Sequence, residues 1–176
     1  KEFNRYAGFP HTLHVHESGK PMLRGLESSP FPVLVVGIEA MSVKSGPEIC
    51  KEFLSGGVSM TILDESSRIK HHNTKRTENV LELYRESQYR LALTGTNITQ
   101  GLQDLYTQMQ FVEPRAIGEI SYYSFKNKYC VMGGYGGKKI IGYTKTDILM
   151  NKVRPYCDVI RKSDMKDLPL KSYQIR

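Results

Sequence analysis

Short apolar runs alternate along the chain with stretches of helical period. HTLHV at 11–15 is a modest strand pattern, and PVLVVGIEAM at 32–41 is a stronger one. PEICKEFL at 47–54 has the composition of a helix, and VSMTIL at 58–63 is the next apolar run. NTKRTENVLELYRES at 73–87 combines helix formers with an apolar stripe at Val80, Leu83 and Tyr84. YRLALTG at 89–95 returns to strand, and TQGLQDLYTQMQFV at 99–112 sets Leu102, Leu105, Tyr106 and Met109 on one helical face. Strands alternating with helices predict an α/β fold, a parallel sheet covered by helices on both sides. Pro114 closes the series, which shows no internal repeat and no low-complexity tract.

In VSMTIL, five of six residues are apolar or β-branched, the pattern of a strand buried on both faces. Such a strand holds no charge inside, so Asp64 and Glu65, which follow directly, are expected where it emerges. Ligands of open parallel sheets bind beyond the carboxyl ends of the strands. Two readings stand: the acids hold a metal ion and a nucleophilic water, or they are solvated and open a turn.

With 176 residues, 39% hydrophobic and 24% charged, the chain has the composition of a globular domain with a real core. No run approaches a membrane span and no secretory signal is present, so an intracellular, cytoplasmic protein is expected. Three widely spaced cysteines, Cys50, Cys130 and Cys157, fit neither a disulfide framework nor a CxxC metal knuckle. That reducing setting also speaks against the sequon Asn97-Ile98-Thr99. A start at Lys1 predicts a piece of something longer.

Charge changes the picture more. The net +7 lies wholly in residues 116–176, where 12 Lys and Arg face 5 Asp and Glu, whereas residues 1–115 carry 13 of each. We read this as a boundary between a sheet-bearing part, 1–115, and a basic segment, 116–176. The segment also contains Tyr122, Tyr123, Phe125, Tyr129, Tyr135, Tyr143 and Tyr156. Cations could hold a phosphate backbone there while aromatics stack on bases or sugars. The alternative is a solubilising face over core aromatics.

Several motifs carry less. MGGYGGKKII at 132–141 invites comparison with the phosphate loop GxxxxGK[ST], but Met132 stands where the first Gly should be and Lys139 where the hydroxyl should be. A basic hairpin or loop is expected instead, with Lys138 and Lys139 able to touch phosphate. His14, His16, His71 and His72 lack a carboxylate or Cys that would complete a metal set, and read as surface histidines. No GxSxG and no activated Cys context points to a nucleophilic triad.

One ordered set of motifs is specific. ILDESSRIKHHNTKRT, YRLALTGT and LQDLYTQMQFVEP together resemble the SNF2 branch of superfamily 2 helicases and DNA translocases, which carry a DEAH-like box followed by Arg-Ile-Lys, then LTGTP, then a helix ending Phe-Leu-x-Pro. VIRKSDMKDLPLKSYQIR at 159–176 is similar to the family's segment closing its first motor lobe, and KEFNRY at 1–6 and VLVVGIEAM at 33–41 are similar to stretches before the box. The resemblance spans nearly the whole chain.

It implies a RecA-like parallel sheet with flanking helices, an incomplete lobe without its ATP-loop half, plus a basic C-terminal α-rich extension. It further implies part of an ATP-dependent DNA translocase that uses ATP and Mg2+ and engages DNA, double-stranded by the family's habit. Asp64 would bind the Mg2+ and Glu65 would orient the attacking water. Ser67, Thr94, Gly95 and Thr96 would couple nucleotide state to movement. Glu39, Lys126, Lys128, Lys138, Lys139, Arg161 and Lys162 would lie on the DNA-contacting surface. Ser67 stands where the family has His, Asn97 where LTGTP has Pro, and Thr99-Gln100 where Gln-Asn is usual, departures that suit a divergent bacterial or phage member. The family's ATP loop and arginine finger lie outside a stretch like this, so the 176 residues alone are expected not to turn over ATP. The other class is a non-catalytic nucleic-acid-binding module derived from such a motor.

Overall fold

The structure, a computed structural model, describes residues 5, 7–21, 25–95, 101–160 and 164. Strands β1 (Thr12–Val15) and β2 (Pro32–Val35) pair in parallel, as do β3 (Met60–Leu63) and β4 (Tyr89–Ala92). The strong apolar run at 32–41 yields only a four-residue strand, because the chain turns at Gly37 into a 3-10 helix, Ile38–Ser42. Between these strands lie helix α1 (Ser45–Leu54) and helix α2 (Lys75–Glu82), the latter capped by the Thr74 hydroxyl, which accepts from the Thr77 amide at 3.3 Å.

Helix α3 (Asp104–Val112) organises the interior. Its Phe111 is fully buried with Met41, Leu54, Leu63, Ile69, Val80 and Leu83, while Tyr106 and Met109 are buried with Ile117, Phe125, Tyr129, Leu149 and Val153. The single apolar stripe expected for this helix is therefore a helix buried nearly all round, because a core packs on each side of it. The change of charge near residue 115 coincides with no break in packing: α3, before it, completes the core of the residues after it.

Those residues form the short helix α4 (Pro114–Ile117), helix α5 (Tyr122–Tyr129), an antiparallel hairpin of β5 (Cys130–Gly133) and β6 (Lys139–Tyr143), and helix α6 (Thr146–Val153). The Pro114 break, the Ser121 cap accepting from the Ser124 amide, and the glycine-rich turn set these boundaries locally.

One expectation is corrected. The run 58–63 is not buried on both faces: Val58 is 83% exposed, and Met60 and Ile62 remain open with Tyr89 and Leu91 beside them. Alternation explains it, since Leu63 points to the helices and Met60 and Ile62 point away from them. Among the described residues no helix is long and apolar enough to cross a membrane.

Candidate functional site

The acidic pair sits where β3 ends. Leu63 is buried, and Asp64 and Glu65 emerge as an exposed turn beyond it. Glu65 takes left-handed backbone angles (φ 50°, ψ 53°), unusual for a residue with a side chain and a form of strain found at functional sites. Its amide donates to the Asp64 carboxylate at 2.9 Å. Two ladder bonds bracket the turn: the Leu93 amide donates to the Leu63 carbonyl (2.9 Å) and the Ser66 amide to the Leu93 carbonyl (2.8 Å). The ends of β3 and β4 thus meet, with Leu63 opposite Ala92, and Thr94 and Gly95 come just after Leu93. Thr96 lies outside the described residues.

Ser67 is half-buried, and its neighbour Ser66 bonds to α3. Ser66 is fully buried, and its hydroxyl donates to the Gln108 side-chain carbonyl on α3 at 2.7 Å. The Gln108 amide in turn donates to the Asp104 carbonyl at 3.0 Å. Polar residues inside an otherwise apolar helix pattern, Thr107 and Gln108 here, were the available signal.

Neither Asp64 nor Glu65 forms a salt bridge to any described residue. Exposed, un-neutralised carboxylates at a strand end suit Mg2+, which takes one or two protein carboxylates and completes its shell with water and phosphate oxygens. Among the described residues no three or more His, Cys, Asp or Glu side chains gather as an all-protein cage. The residues present fit a magnesium ion brought with a nucleotide.

Glu39, at the start of the 3-10 helix after β2, accepts from Arg68 Nη1 at 3.2 Å and from Arg76 Nη2. Arg68 belongs to the stretch after the acidic box, so this exposed carboxylate ties β2's end to it. Glu39 thus faces two guanidinium groups.

The basic residues are sorted by their surroundings. Lys128 donates to Glu119, a nearly buried carboxylate that also accepts from the Ser124 hydroxyl. The Lys128 bond, then the Ser124 bond, hold the Glu119 carboxyl below its usual range. Lys126 is half-buried, its ammonium 5.9 Å from the Tyr122 ring centre. His72 stacks on that same Tyr122 ring, 3.7 Å between centroids, and burial, then Lys126 and His71, lower its pKa. Lys138 and Lys139 are exposed on the hairpin. Arg161 and Lys162 lie outside the described residues. Of the aromatics, Phe125 and Tyr129 are core, whereas Tyr123, Tyr135 and Tyr156 face solvent. Burial pushes the Cys50 thiol up to about 11, and all three cysteines are free.

Comparison with known proteins places this arrangement. The SNF2-related domain family matches residues 1–176. A Schizosaccharomyces pombe protein, SWI/SNF chromatin-remodeling complex subunit snf22, is 32% identical over 182 residues, covering 96% of this chain and 10% of the relative. The Gallus gallus DNA repair and recombination protein RAD54B is 30% identical over 125 residues, 70% of this chain and 13% of the relative. The chain thus spans about a tenth of the curated relatives' length. In structure, the Sulfolobus solfataricus SWI2/SNF2 ATPase core in complex with dsDNA superposes with a TM-score of 0.67 at 23% identity, covering 96% of this chain and 32% of that one. The parallel strand pairs with flanking helices are therefore the fold of a RecA-like motor lobe, in part.

Proposed function

The chain belongs to the SNF2-related domain family, and from that premise we propose that it supplies the acidic half of the catalytic edge in an ATP-driven DNA translocase. The observation that carries this reading is the turn after β3, where Glu65 is held left-handed beside Asp64, both carboxylates exposed and, among the described residues, free of salt bridges, against the end of β4.

ATP with Mg2+, when bound, supplies a phosphoryl group whose charge the ion gathers. Asp64 would hold the ion, directly or through water. Glu65 accepts a hydrogen bond from the attacking water and aligns it. Thr94 and Gly95, past the neighbouring strand end, carry a change at the phosphates toward the DNA grip, with Thr96 the next residue of that motif, and Ser66 with Gln108 fixes the acidic turn to α3, with Ser67 beside it. Residues 1–115 form the rear of the first motor lobe and 116–176 the basic part that closes it.

For DNA, Lys138 and Lys139 are the phosphate contacts, with Lys126, Arg161 and Lys162 as further candidates. Lys128 serves by holding Glu119, and Glu39 by aiming Arg68 and Arg76. The phosphate-holding Lys of the ATP loop is supplied by other parts of the motor, so the 176 residues alone do not turn over ATP.

The test is DNA-stimulated ATPase activity of the full-length protein, wild type against Glu65→Gln. Hydrolysis that needs DNA and vanishes in the variant supports the motor. Hydrolysis that survives Glu65→Gln, or its absence from the wild type, reduces the acids to a turn on a nucleic-acid-binding module.

A further inference from the structure

The hairpin that follows α5 ends in an aromatic side chain that stands fully in solvent. Its base is rooted: Cys130 is buried, and Met132, Ile140 and Tyr143 pack against Phe125, Tyr129 and Leu149. Tyr143 also donates its hydroxyl to Gln103, the residue before α3. The strands run from Gly133 opposite Lys139 to Cys130 opposite Tyr143, with a bulge between Val131 and Met132. The tip is different. Gly134, Gly136 and Gly137 all take positive φ, and the Gly137 amide closes the turn on the Gly134 carbonyl at 3.1 Å. Between them Tyr135 projects with 105% relative exposure, and Lys138 and Lys139 follow at once, both exposed.

A tyrosine ring is a large apolar body that folded chains normally cover. Here three left-handed glycines hold it out in solvent, two exposed lysines follow it on the same tip, and the segment around it carries the chain's whole excess of positive charge. Cations that draw in a phosphate backbone beside a free aromatic face match the chemistry of unpaired bases. In continuous duplex the base faces are already stacked on one another, so such a ring gains nothing there beyond backbone contact.

We propose that Tyr135 stacks on an unpaired base, so that the hairpin tip recognises DNA with a single-stranded stretch or junction rather than uninterrupted duplex. The inference rests on the reading of Lys138 and Lys139 as phosphate contacts and deepens it. Lysines supply affinity for any DNA, and Tyr135 supplies the preference for unpaired bases.

The experiment measures affinity of the full-length protein by fluorescence anisotropy for blunt duplex, for the same duplex with a single-stranded tail, and for single strand. Wild type is compared with Tyr135→Ala, Tyr135→Phe and the Lys138→Ala/Lys139→Ala double variant. Removing a base-stacking aromatic weakens binding by about tenfold or more. Tyr135→Ala is therefore expected to lose about tenfold on tailed and single-stranded DNA, with duplex affinity unchanged and Tyr135→Phe close to wild type. An unpaired 2-aminopurine in the tail should be quenched by the wild type and not by Tyr135→Ala. The lysine variant should weaken all three DNAs and flatten their salt dependence. If the lysine variant behaves so but Tyr135→Ala changes nothing, or weakens all DNAs equally, the stacking inference is overturned while the DNA-binding reading stands. If the wild type binds none of the three, the DNA reading falls and takes the inference with it. Tyr135 stands fully in solvent, so its variants should melt as wild type does, and a lowered Tm would overturn the view of it as a free tip.

Discussion

The bond from Ser66 to Gln108 offers the sharpest test of how the acidic turn is held. Ser66→Ala removes a donor from a site that water does not reach, since Ser66 is 0% exposed and Gln108 6%. The Gln108 carbonyl oxygen is left without the hydroxyl it accepted at 2.7 Å, and stranding a buried acceptor costs about 1–3 kcal/mol. A loss of about 2 kcal/mol lowers Tm by about 4–8 °C in a chain of this size. Gln108→Met strands the Ser66 hydroxyl instead and should cost a similar amount. The double variant removes both polar partners, so it should be less destabilised than the two singles added, by about 1 kcal/mol or more. Urea unfolding with unchanged m values is the assay. Additivity within about 0.3 kcal/mol would refute the reasoning, because it would mean that the two side chains do not meet. The same variants should reduce DNA-stimulated ATPase of the full-length protein if the position of the turn matters to water alignment.

Three further outcomes are expected. Gly101 has φ near +157°, and a Cβ there would fall on the Tyr143 hydroxyl, so Gly101→Ala should destabilise by more than about 1 kcal/mol in thermal melts, with part of the loss recovered in combination with Tyr143→Phe. Phe125 is fully buried, its ring 5.2 Å from those of Tyr106 and Tyr129, so Phe125→Ala should cost about 3–5 kcal/mol, read from the urea midpoint. Glu119 has a folded pKa below its ordinary value of 4.5, so its contribution is present above that value and is lost as pH falls through the folded pKa. Glu119→Gln should accordingly flatten the acid limb of stability below Glu119's ordinary value of 4.5, and an unchanged acid limb would show that Lys128 and Ser124 do not hold the carboxylate.

The sequence by itself determined the order of elements, because period and punctuation are local. The spacing of Val80 and Leu83, the β-branched runs and Pro114 act within a few residues of themselves, and each produced the element expected near its place. It also determined the acidic turn: a charge pair directly after VSMTIL has nowhere to go but the strand's end, and the ordered motifs around it were enough to identify the family.

Tertiary structure decided the rest. Alternation along β3 could not say whether Met60 and Ile62 would be covered, since that depends on which helices pack on which face, and here they remain open. Nor could composition separate the lysines: Lys128 and Lys138 look alike in the chain, but only Lys128 folds against a nearly buried carboxylate, and only Lys138 follows a glycine tip in open solvent. Ser66 and Ser67 are adjacent and chemically identical, and the direction of one side chain toward Gln108, 42 positions away, distinguishes them. Contacts between residues far apart in sequence carry no local signature, which is why the elements were legible beforehand and the partners were not.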